Sequence, residues 1–183
     1  MKRVDRHHFV VFPYRYQVRD DGEVNNGGID LTTNPGRISD IHEVEGYPWL
    51  RSFLTMVNAE GGLFMTFGCV AGPVNYSFCG YIDFSLRPGT PEQLKDNMVM
   101  LDEQFYEYLT QAMPEGEIRI QGIKYAQSIL RWNLSPLEIH GESYSKVNLT
   151  FDAMEEEGSA WAVEHVCYFL TKVYPSLTPV KIT

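Results

Sequence analysis

The chain lacks every short motif that would announce a chemistry. There is no phosphate loop, no zinc knuckle, no nucleophile elbow and no paired-carboxylate motif in its usual setting. Cysteines are few: Cys69, Cys79 and Cys167 make three, an odd number, with no CxxC and no zinc spacing. Neither a disulfide framework nor a structural zinc is expected from that pattern. No apolar run approaches the roughly 18–20 residues that a membrane span needs, so no membrane partner is expected. The stretch from Met1 to His8 is charged, and the apolar residues after it soon meet Pro13, Arg15 and Arg19. A secretory signal needs about 7–15 uninterrupted apolar residues, so a cytoplasmic location is expected. Asn75-Tyr76-Ser77, Asn133-Leu134-Ser135 and Asn148-Leu149-Thr150 match the glycosylation pattern but are then chance matches.

Positive charge is also scarce. The 183 residues carry 15 basic and 24 acidic side chains, a net of −9. Met1 to Arg19 holds a net of +4, Asp20 to Glu45 a net of −6, and Leu101 to Gly158 a net of −7. Direct nucleic-acid binding wants a basic face that displaces counterions, so it is not expected here. An acidic surface suits solubility, or steering toward a basic protein partner.

What the chain does have is hydrophobic material, 44% of residues, enough for a substantial core. Its length fits one domain. His8 to Arg19 alternates with period two, as a half-buried strand does, and Pro13 marks an edge position or a bulge. Asp20 to Gly46, rich in Gly, Asn, Asp and Pro, reads as a long loop, and such loops are often functional. Pro48 to Asn58 has the spacing of a short amphipathic helix. Leu63–Val70 and Tyr76–Leu86 predict a hairpin around Gly72-Pro73, with Cys69 and Cys79 as free thiols on adjacent strands, directly opposite each other if the turn is centred near Val74.

Thr90-Pro91-Glu92-Gln93 reads as a capping box that starts the longest helix, running to Met113. Leu94, Met98, Leu101, Phe105, Leu109 and Ala112 step along its inner face. Glu117–Trp132 and Leu137–Phe151 read as further strands with a turn over Asn133–Pro136, and Ser159–Val173 as a final helix stopped by Pro175. Runs of strands without βαβ alternation predict an α+β class: a single domain over residues 1–183, with a mainly antiparallel sheet. Two longer helices and one short helix would pack on that sheet.

Two constellations carry candidate chemistry. Glu138, His140 and Glu142, at alternate positions of an expected strand, would share a face and could offer metal ligands if Gly141 made a bulge. The plain alternative is a solvated strand face, because neighbours on one face stand roughly 6.5–7 Å apart. The second is the acidic loop. Asp20, Asp21, Glu23, Asp30, Asp40, Glu43 and Glu45 could meet a basic surface, with Tyr47 and Trp49 as aromatic anchors beside them. Trp49 could equally pack its short helix onto the sheet. No catalytic residue and no cofactor is assigned.

The make-up of the whole chain resembles that of bacterial immunity proteins that neutralise polymorphic or type VI secreted toxins. These are small, acidic, single-domain, motif-poor proteins, cytoplasmic when the toxin attacks cytoplasmic targets. The likeness is one of general make-up, and no motif carries functional residues across. It implies tight binding to a cognate toxin, such as a nuclease with a basic active site, and no enzymatic activity. Two other classes stay open on the residues alone. One is a small enzyme with a dispersed site drawn from His42, His140, Glu142 and Cys167; the other is a structural protein of a phage or secretion apparatus.

Overall fold

Alternating apolar and polar residues in the middle of the chain form the sheet on which the rest is assembled. The computed structural model describes residues 1–4, 11–18, 24–25 and 27–177. Four short strands come first: β1 (Lys2–Arg3), β2 (Val11–Phe12), β3 (Gln17–Val18) and β4 (Val24–Asn25). Helix α1 (Pro48–Val57) precedes a hairpin of β5 (Phe64–Val74) and β6 (Ser77–Leu86). Helices α2 (Glu92–Asn97), α3 (Leu101–Ala112) and α4 (Glu117–Ile129) lead into a second hairpin, β7 (Leu130–Ile139) and β8 (Glu142–Ala153). Then α5 (Glu156–Tyr168) runs through a π-helical turn, Phe169–Val173, into α6 (Tyr174–Leu177).

The strand order is β1-β7-β8-β6-β5, with β2 also paired to β7. The long strands pair antiparallel, whereas β1 and β2 lie parallel to β7, and β3 with β4 makes a separate ribbon. The α+β class and the mainly antiparallel sheet expected from the sequence are observed. Among the described residues, no helix is long and apolar enough to cross a membrane.

Period two divides the sheet into two faces. One face presents Ile82, Phe84, Trp132, Val147, Leu149 and Phe151 to Leu50, Phe53, Leu101, Phe105, Val163, Val166 and Phe169 of the helices, in the main core. The other carries a smaller cluster of Phe12, Met65, Phe67, Leu137, Ile139 and Tyr144. A register shift between Thr66 and Gly68 adds one residue to β5, so that Phe67 joins the second cluster while Phe64 and Cys69 both join the main core. Buried Asn58 holds this bulge to the end of α1. Its Nδ2 donates to Leu54 O and Thr66 Oγ1, and its Oδ1 accepts from Thr66 N.

Several expectations need correction. The β5–β6 turn lies at Asn75-Tyr76, where Asn75 adopts φ 55°, not at Gly72-Pro73. Cys69 therefore faces Ile82, and Cys79 faces Gly72. The capping box does not form: Thr90 Oγ1 donates to Arg87 O, and the helix from Glu92 breaks into a 3-10 turn over Met98–Met100 before α3. Leu94, Met98, Leu101, Phe105 and Leu109 are buried as expected, but Ala112 is exposed. Glu117–Ile129 is helix α4 rather than strand, with Ile118 and Ile120 exposed, so the helical layer is larger than expected. Asn133–Pro136 lies within β7, and the chain reverses at His140-Gly141 instead. The segment after Asp20 is not without structure where described: 3-10 turns cover Pro35–Asp40 and His42–Val44, and Ile29, Leu31 and Val44 are buried.

Candidate functional site

Of the acidic segment singled out in the sequence, Asp40 and Glu43 stand in successive 3-10 turns. Asp20, Asp21 and Glu23 lie outside the described residues. Asp30 Oδ1 accepts hydrogen bonds from the Thr32 amide and hydroxyl, a local turn. Asp40 pairs with Arg37 at 2.8 Å, Glu43 is half-buried and Glu45 is exposed. Trp49 is buried against Phe78 and Phe151, and its Nε1–H donates to Glu156 Oε1 at 2.9 Å. Tyr47 packs edge-on to Phe78. These two rings fasten α1 to the sheet, so the packing alternative holds for Trp49.

The metal candidate also changes. His140 and Gly141, at φ 51° and 87°, are the two residues of a tight hairpin turn. Glu142 pairs with Ile139, which faces the second cluster, whereas Glu138 pairs with Ser143 and points to the other side. The hairpin thus sends Glu138 and Glu142 to opposite faces, and Glu142 Oε2 accepts from Tyr144 Oη. Among the described residues, no three His, Cys, Asp or Glu side chains come together as a metal site. His42, His140 and Cys167 stand on different elements. Cys167 is buried with its thiol pushed up to about 11 by burial and then Glu164, unsuited to a nucleophile.

The most polar interior group lies on the second face of the sheet. Lys146 Nζ donates to Asp83 Oδ2 at 3.0 Å, and Asn148 Nδ2 donates to Asp83 Oδ1 at 2.7 Å, all three residues buried. Burial, then the Asp83 carboxylate, pushes the Tyr14 phenol well above its ordinary value. Mutually satisfied and out of solvent, this group serves as scaffold. A cavity of about 200 Å³ beside the π-helical turn, lined by Met56, Leu63, Leu94 and Leu170 among others, is mostly apolar and contains none of the sequence candidates.

The outer surface is more telling at one end of the sheet. Phe78 pairs with Ala153, so Tyr76, two residues earlier, and Met154, one residue later, leave the sheet at the same end. Tyr76 is 96% exposed and Met154 85% exposed, the two highest values for large apolar side chains among the described residues. Exposed Asp152, Glu155 and Glu157 accompany them. Between Lys146 and Lys172 the chain has five acids and neither lysine nor arginine. Glu156 and Glu157 occupy the first turn of α5, where the helix dipole favours carboxylates, so stability accounts for part of this charge.

From that end a ladder of rings runs along the helices. Tyr125 of α4 lies 5.9 Å from Trp161, and Trp161 lies 5.0 Å from His165. Tyr108 of α3 shares a 3.1 Å hydrogen bond with His165 Nδ1 and stacks on Tyr168 at 5.9 Å. On α5, Glu157, Trp161, Glu164, His165 and Tyr168 are three, four or seven residues from Trp161 or are that residue, hence one face. Tyr125 and Tyr168 are 40% and 53% exposed. Burial lowers the His165 pKa against the opposing pull of Glu164. Sequence reading missed this ladder because its rings come from three helices, one of which reads as a strand. The spacing of Trp161, His165 and Tyr168 was the available signal.

No protein-family model matches the chain, and no match to a curated protein or a solved structure was found.

Proposed function

We propose that the protein acts by binding. It takes a basic protein partner on the acidic, aromatic surface formed by the β6–β8 end of the sheet and α5, as an immunity protein neutralising a cognate secreted toxin would. The observation that carries this reading is the pair of protruding apolar side chains, Tyr76 and Met154, set among Asp152, Glu155 and Glu157. Large exposed apolar groups rimmed by charge are a feature of docking sites. Tyrosine and methionine supply contact area that adapts to a partner, and carboxylates around them raise the rate of encounter with a basic surface. A nuclease active site, built to hold phosphate, is one such surface.

In this proposal the protein is not an enzyme, needs no cofactor, works in the cytoplasm, and touches neither nucleic acid nor membrane directly. The free thiols of Cys69, Cys79 and Cys167 suit a reducing compartment. The partner surface moves from the Asp20–Trp49 segment to the exposed side chains at the β6–β8 end of the sheet, because Trp49 is occupied in the core there. The test is co-expression with a toxin encoded beside the gene. The intact protein should protect cells, and a Tyr76→Ala, Met154→Ala double variant should protect less while melting at the same temperature. Failure of the intact protein to protect or to bind that toxin would refute the role. Full protection by the double variant would refute the surface.

A further inference from the structure

We infer that the α5 face of this surface carries a subsite for an arginine side chain of the basic partner, seated in the wedge between Trp161 and Tyr125 and flanked by Glu157 and Glu164. The inference rests on the proposed partner-binding role and specifies which residue type the surface selects. The two rings stand 5.9 Å apart with their planes tilted at 47°, neither stacked nor edge-on. Gly158 lies under Tyr125: a Cβ there would come within 2.0 Å of the Tyr125 hydroxyl, so glycine is what allows Tyr125 to lie over the start of α5. Glu157 and Glu164 are four residues before and three after Trp161, on its own helix face, and both are exposed.

Among the described residues, no lysine or arginine lies over either ring of the wedge. Lysine and arginine are absent from 147–171. The cation that does sit over a ring among the described residues, Lys95 on Tyr144 at 4.6 Å, belongs to other elements, α2 and β8. Lys124 precedes Tyr125 on α4, but adjacent helix residues do not share a face. His165 borders Trp161, and burial favours its neutral form, so it brings little positive charge of its own at neutral pH. Aromatic faces attract cations, tryptophan most of all. Arginine suits the wedge better than lysine: its planar guanidinium stacks on a ring, sheds water more readily and can engage a carboxylate with two parallel hydrogen bonds.

The test needs no toxin. The indole N–H resonance of Trp161, identified by its loss in Trp161→Phe, is followed while hexa-arginine, hexalysine or hexaglycine is titrated into the full chain. Hexa-arginine should shift it saturably and several-fold more tightly than hexalysine, with hexaglycine inert. A Glu157→Gln, Glu164→Gln double variant, confirmed folded by its unchanged buried Trp49 and Trp132 resonances, should bind about tenfold more weakly. An unmoved Trp161 resonance, equal response to lysine and arginine, or unchanged binding by the double variant would overturn the subsite. A negative titration leaves partner binding itself to be judged by co-expression, whereas failed protection beside a positive titration removes the role and keeps the subsite.

Discussion

Asp83 and Lys146 stand 63 residues apart in the chain and meet only because β6 and β8 pair in one register. Nothing in the sequence marks them as partners, since each alone reads as an ordinary charged residue on a strand. Burial makes the pair unforgiving: removing one member leaves an uncompensated charge. Lys146→Met should therefore cost about 3–5 kcal/mol in urea unfolding, and adding Asp83→Leu should recover much of that loss. The cysteines behave differently from one another. Burial pushes the thiols of Cys69 and Cys167 up, whereas Cys79 is only partly buried. In native protein Cys79 should react first with a thiol reagent, and denaturation without reductant should expose three reactive groups. His165 provides a pH signature. Its folded pKa lies below the ordinary 6.5, so just below that pH the unfolded chain binds more protons than the folded one. Stability present above that value is then lost as pH falls toward the folded pKa. His165→Gln should lose less stability than the parent between about pH 7 and about pH 5, measured by denaturation midpoints.

At the scale of elements, apolar periodicity was legible wherever one periodicity ran unbroken. The stripe Leu94, Met98, Leu101, Phe105 and Leu109 survives a 3-10 interruption because all five still face the sheet. Leu101→Ala should destabilise the fold by about 2–5 kcal/mol in denaturant titration. The hairpin of β5 and β6 was legible, but its turn was not: Gly72-Pro73 looks like a turn yet sits in β5, and Asn75 supplies the positive φ. The region after Gly116 was misread because Ile118 and Ile120 alternate like a strand. In fact both are exposed, and Ile123, Ala126 and Ile129, at intervals of three, make the inward face of α4. Pro136 suggests a break in β7. It is tolerated between the stretches that pair with β1 and β2, where its missing N–H interrupts neither pairing. Gly80 is a tighter constraint than any turn glycine: a Cβ there would lie 2.0 Å from Val70 O and 2.6 Å from the Phe151 ring. Gly80→Ala should cost about 1–3 kcal/mol through forced movement of β5 or Phe151, again read from unfolding.

For the whole molecule, net charge was legible and its placement was not. The sequence counts pointed to Asp20–Glu45, but helix α5 and the end of β8 gather acids and exposed rings that the linear order separates from Tyr76, Tyr108 and Tyr125. If this surface docks a basic toxin, attraction between exposed charges should speed encounter and be screened over about 8–10 Å at physiological ionic strength. The most direct measurement is the association rate with a toxin encoded beside the gene, at low and at physiological salt. It is made for the intact protein, for an Asp152→Lys, Glu155→Lys, Glu164→Lys variant, and for an Asp40→Lys, Glu43→Lys, Glu45→Lys control. A role for the α5 surface predicts that salt slows the intact protein by about tenfold or more, that the first variant is slow at both salts, and that the control resembles the intact protein. An association rate indifferent to salt and to the first variant, or one lost only in the control, would contradict it.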